Sequence, residues 1–69
     1  MTIVEQLKIE IQQRYKKLLL NKKETAKELG ISISTLDRLR RTGYLRERRI
    51  GGGIFFTIDE IVNFIGGAN

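Results

Sequence analysis

Apolar positions recur at helical spacing through the first forty residues and then give way to a short strand-like run. Ile3, Val4, Leu7, Ile11, Tyr15 and Leu18 fall on one stripe at about 100° per residue, with Lys8, Gln12 and Lys16 on its polar flank and Ile9 opposite. Thr2 with Glu5 three residues later is a capping box, each side chain satisfying one orphan amide. The pattern predicts an amphipathic helix over 3–17, about four turns long. Residues 18–20 lead into Asn21, which with Glu24 repeats the cap signature and opens a second helix of about two turns. Its buried candidates are Ala26 and Leu29, and Gly30 stands where a C-terminus favours positive φ. Ile31 follows as a turn hydrophobe. Ser32 then offers a third cap, to the amide of Ser34 or Thr35, for a helix over 33–42 closed by Gly43. Residues 45–50 and 54–57 read as two strands and 51–53 as the turn between them, a β-hairpin. Thr57 with Glu60 caps a last short helix carrying Ile58, Ile61, Val62, Phe64 and Ile65, and 66–69 read as a frayed tail. The fold class is thus mainly α with a small β-hairpin, in a single domain spanning 1–69.

Composition narrows the chemistry. At 69 residues the chain buries only roughly 60% of its unfolded surface, which disfavours a large substrate cleft. With no cysteine and no histidine it builds no disulfide, no thiolate or imidazole metal site, and no Ser/His or Cys/His nucleophilic pair. The adjacent carboxylates Asp59 and Glu60 meet no base, nucleophile or metal set, and helix capping accounts for Glu60. The expectation is a non-enzyme without catalytic residues, metal, cofactor or small-molecule ligand. No apolar run exceeds three residues and no signal-peptide pattern opens the chain, so the expected location is cytoplasmic, with no membrane partner.

Charge points to an anionic partner. Thirteen Lys and Arg stand against eight Asp and Glu, a net +5. Residues 32–50 alone carry six arginines against Asp37 and Glu47, and residues 51–69 are acidic. Arginine's planar fork bonds phosphates and guanine edges bidentately. Two short helices joined by Gly30, Ile31 and Ser32 fit the helix-turn-helix pattern, in which the second helix crosses the first. With Leu36 and Leu39 inward, Ser34, Asp37, Arg38 and Arg41 face outward. Arg38 suits guanine O6 and N7, Ser34 and Thr35 lie in the first turn where base edges or phosphates are met, and Arg41 suits a phosphate. Asp37 either accepts from a cytosine amino group or, as the favoured reading, pairs with Arg41 four residues on. Along 45–50, Arg46, Arg48 and Ile50 share one strand face and Leu45, Glu47 and Arg49 the other. Lys22, Lys23, Arg38, Arg41 and two hairpin arginines make about six phosphate partners, a log–log salt slope on the order of −5.

The run LLNKKETAKELGISISTLDRLRRTGYL, followed by RERRIGGG, by IFFT and by a terminal helix, resembles the small winged helix-turn-helix domains of phage and plasmid excisionases and of MerR-type regulators. The resemblance covers 18–65 and leaves the helix over 3–17 as an extra element, either packed on the core or serving as a dimerisation arm. It implies a recognition helix with Ser32, Ser34, Thr35, Asp37, Arg38 and Arg41 at DNA. It also implies a wing and backbone-binding set of Lys22, Lys23, Arg46, Arg48 and Arg49, with Gly51, Gly52 and Gly53 at the tip. The implied function is sequence-specific double-stranded DNA binding, as a recombination directionality factor or small transcriptional regulator of a mobile element, bound as a homodimer or cooperative oligomer. Alternatives are the DNA-binding module of a larger transposase or terminase small subunit, and a protein-interaction module using the first helix with Phe55 and Phe56.

Overall fold

A computed structural model describes residues 2–66; beyond Gly66, the expected tail lies outside the described residues. Four helices and three strands follow in the order α1 (Ile3–Tyr15), β1 (Leu19–Asn21), α2 (Lys22–Leu29), α3 (Ile33–Arg41), β2 (Arg48–Ile50), β3 (Gly53–Thr57) and α4 (Ile58–Ile65). The strands form one antiparallel sheet in the order β1-β3-β2.

Each helix begins at the side-chain oxygen the sequence offers. Thr2, Asn21, Ser32 and Thr57 accept from the amides of Glu5, Glu24, Thr35 and Glu60, and the reciprocal carboxylate contact is made at Thr2 and Asn21. Glu60 departs from the expected box. Its carboxylate accepts from the backbone N–H of Arg46 at 3.1 Å, tying α4 to the root of the hairpin. Thr57 is itself the last residue of β3, so the same residue ends a strand and opens a helix.

Three expectations give way. The first helix stops at Tyr15 rather than 17, because Lys16 turns left-handed at φ 56° and sends its N–H back to the Gln12 carbonyl. Leu18 thereby leaves the helical stripe and is 72% exposed, and Ile3 at the other end of the stripe is 73% exposed. Residues 19–21, expected only as a lead-in, form β1, with Leu20 paired to Phe56 in the centre of the sheet. The hairpin is shorter than expected. Its strand begins at Arg48, and its turn consists of Gly51 and Gly52 alone, both with positive φ, as a two-residue hairpin loop demands. Gly53 already belongs to β3, and a Cβ there would lie 2.7 Å from the Phe55 ring, which covers the glycine.

Ile11, Leu20, Ala26, Leu36, Leu45, Phe56, Ile58, Ile61 and Val62 make one core. Ile11 places α1 inside that core, and α1 packs along α4, so the packing role fits it. Ion pairs Lys8–Asp59 and Arg14–Glu28, and the Tyr15 hydroxyl donating to Glu28 at 3.0 Å, fasten it further, and Lys17–Glu24 holds the segment that follows it. Thr25 is fully buried, and its hydroxyl has no hydrogen-bond partner among the described residues. No helix there is long and apolar enough to cross a membrane.

Candidate nucleic-acid interface

The geometry of the site starts at the α2 C-terminus. Gly30 adopts φ 69°, its N–H and that of Ile31 return to the last carbonyls of α2, and half-buried Ile31 pins the turn to the core. Ser32 then caps α3, accepting from the Thr35 N–H at 3.1 Å and donating to the Thr35 hydroxyl at 3.0 Å. These two candidates are therefore engaged with each other. Leu36 is the inward anchor, with 0% exposure. Directly opposite it on the helix stand Ser34, Arg38 and Arg41, all exposed and spanning about 10 Å along the axis.

At the far end of α3 the Thr42 hydroxyl donates to the Arg38 carbonyl at 2.8 Å. Gly43 turns the chain at φ 82°, and buried Leu45 anchors the root of the hairpin. Tyr44, between them, is 67% exposed; no periodic pattern covers a loop, so nothing in the sequence signalled it. Arg48 pairs across from Phe55. Because Phe56 points into the core, Phe55 and Arg48 share the outward face of the sheet. Arg46 and Arg48 come together around a polar depression of about 360 Å³, whose rim also includes Glu47, Thr57 and Glu60.

Asp37 corrects the sequence-based pairing. Its Oδ1 lies 2.8 Å from Nη2 of Arg40 and 2.9 Å from Nζ of Lys22, and Arg41 takes no part. Arg40 continues to Glu47, whose other oxygen lies 2.7 Å from Nε of Arg49. Lys22, Asp37, Arg40, Glu47 and Arg49 thus form one chain of charges from the start of α2, across α3, to β2. The Lys22 ammonium and then the Arg40 guanidinium hold the Asp37 carboxyl below its usual range. Arg40 and then Arg49 do the same for Glu47, and both carboxylates push Arg40 further up.

Of the cations singled out from sequence, Lys22 and Arg49 are therefore ion-paired. Lys23, Arg38, Arg41, Arg46 and Arg48 make no ion pair among the described residues. Sequence reasoning missed Arg40 as the hub of the network; its i,i+3 spacing from Asp37 was the available signal. Gly51 and Gly52 leave the hairpin tip without side chains, and Ile50 beside it is half-exposed. Among the described residues no group of three or more His, Cys, Asp or Glu side chains is arranged to hold a metal. Comparison with protein-family models, with curated proteins and with solved structures returns no match.

Proposed function

We propose that this chain is a winged helix-turn-helix domain that binds double-stranded DNA in a sequence-specific, non-catalytic manner. The observation that carries this reading is the face of α3 opposite buried Leu36. It presents one hydroxyl and two arginines, Ser34, Arg38 and Arg41, with no carboxylate bound to either arginine among the described residues. An α-helix fits the major groove, and an arginine there bonds guanine O6 and N7 bidentately, so Arg38 is the base-reading candidate. Ser34 and Arg41 serve the base edge or phosphates beside it, and Lys23 reaches a flanking phosphate.

The element order and the β1-β3-β2 sheet support the winged reading, because they set a hairpin beside the C-terminal end of α3. On that hairpin Arg46 and Arg48 face outward, and the two-glycine tip allows close approach to a partner backbone. These five cations, without carboxylate partners among the described residues, give a log–log salt slope of about −4.5, at about 0.9 per phosphate. The longest dimension of the molecule is 33 Å, close to the ~34 Å of one duplex turn. One copy covers one half-site, so useful specificity comes from a dimer or from cooperative binding to repeated sites, as suits an excisionase-like factor or a small regulator of a mobile element.

The test is selection from a random duplex library at two salt concentrations. A salt-sensitive enriched sequence is expected, with direct repeats for a cooperative array or inverted repeats for a two-fold dimer. No recovery at low salt refutes the reading and favours a protein-interaction role.

A further inference from the structure

Arg40 stands apart from the other arginines of 32–50. Its side chain is 13% exposed, against 76% for Arg49, and its guanidinium is divided between two carboxylates on different elements. Nε and Nη2 donate to Oδ1 of Asp37 at 3.1 and 2.8 Å, within α3, and Nη1 donates to Glu47 at the start of the hairpin. Asp37 also holds Lys22, and Glu47 also holds Arg49. Two negative charges thus occupy three cations that would otherwise lie beside the duplex-facing surface, and they do so through a fork that only a planar guanidinium makes.

We propose that Arg40 is a positioning residue that fixes the hairpin relative to α3, and that Asp37 and Glu47 are internal counter-ions that withhold Lys22, Arg40 and Arg49 from phosphates. This rests on the DNA-binding reading and deepens it by assigning a control on specificity. Discrimination is a difference of affinities, and sequence-independent binding rises with every cation that reaches a phosphate. Occupying three cations lowers the affinity for all sequences alike. Fixing the hairpin preserves the contacts that depend on α3 and the wing engaging the same site together.

The experiment measures binding of the full chain by fluorescence anisotropy, on its selected duplex and on a scrambled one, across a salt series. Glu47→Gln keeps the side-chain size and releases Arg49. The scrambled duplex then binds up to about eightfold tighter at 0.1 M salt, with a slope steeper by about 0.9, and because the Arg40 bridge from α3 to the hairpin is cut as well, the ratio of selected to scrambled affinity falls. Asp37→Asn releases Lys22 with the same signature from another element, so the outcome does not hang on one variant folding. Arg40→Lys separates positioning from contact: an ammonium replaces a phosphate contact but cannot bridge both carboxylates. It therefore lowers the selected-to-scrambled ratio while leaving the slope on scrambled duplex no shallower. The proposal is overturned if Arg40→Lys retains full discrimination while Arg40→Met makes the slope shallower by about 0.9, which marks Arg40 as a phosphate contact. It is equally overturned if Glu47→Gln and Asp37→Asn change neither slope nor ratio. Wild-type protein that shows no salt-dependent binding to any duplex overturns the DNA reading as well, and is told apart from these results by the wild-type curve alone.

Discussion

Arg48 and Arg49 are adjacent, identical in type and both exposed, and the proposed DNA-binding function predicts opposite outcomes for their removal. Arg48 lies on the outward face of β2 across from Phe55, with no carboxylate bound to it among the described residues. The Nε of Arg49 is 2.7 Å from Glu47. Removing a cation that neutralises one phosphate takes about 0.9 from the log–log salt slope. Relative to 1 M salt that is about 0.9 log units of affinity at 0.1 M, or about 1.2 kcal/mol. Arg48→Ala is therefore expected to weaken binding about eightfold at 0.1 M salt, on selected and scrambled duplex alike, and to move the slope from about −4.5 to about −3.6. Arg49→Ala is expected to leave the slope unchanged within about 0.3, because that guanidinium is held by Glu47 rather than by a phosphate. The assay is anisotropy titration at four or more salt concentrations, with thermal unfolding as a control; both sites are surface positions where stability changes stay within about 0.5 kcal/mol. Equal losses in the two variants, or a larger loss from Arg49→Ala, would refute the pairing of Arg49 with Glu47 as the reason for the difference.

Three other outcomes follow from particular residues. Thr25→Val removes a buried hydroxyl without a partner among the described residues and keeps the side-chain shape, so it should stabilise by about 1 kcal/mol and raise Tm by about 4–8 °C. A lower Tm would mean that the hydroxyl is bonded. Lys16→Gly relieves a left-handed non-glycine residue at the α1 C-terminus, and chemical denaturation should show a net gain of up to about 1 kcal/mol after the unfolded-state entropy of glycine is offset. Asp37, Glu47 and Glu24 are all held below their ordinary carboxylate range, mainly by Lys22, Arg40 and Lys17 respectively. The unfolded chain binds protons at these groups more readily than the folded one, so their stabilisation is complete above the ordinary range and is lost as the pH falls. Urea midpoints should decline below about pH 5, and the decline should shrink in the double variant Asp37→Asn, Glu47→Gln; a flat midpoint down to pH 3 contradicts the ion-pair network.

The outward face of α3 was legible because a helix repeats every 3.6 residues. Once Leu36 is inside, Ser34, Arg38 and Arg41 have only the opposite side to occupy. The partner of Asp37 was not legible on the same grounds. At i,i+3 and i,i+4 both Arg40 and Arg41 are in reach, and the choice fell to Arg40 because Glu47, seven residues away, draws that guanidinium to the same flank. The ion pair of Lys22 was illegible for the same reason: its anion lies fifteen residues further on, on another helix.

By itself the sequence determined whatever is closed within four residues. Thr2, Asn21, Ser32 and Thr57 set four helix starts because each oxygen meets an amide three positions on. Gly30 and the Gly51–Gly52 turn set chain reversals because φ there is positive. Tertiary structure decided what needs a distant partner. Residues 19–21 are too few to show an alternating pattern, and they are a strand only because β3 pairs with them. Glu60 caps nothing because the Arg46 amide, fourteen residues away, takes its carboxylate. The count of cations left for an anion was decided last. Ionic contacts reach across elements and depend on which side chains the packed core turns toward one another, and no local periodicity encodes that.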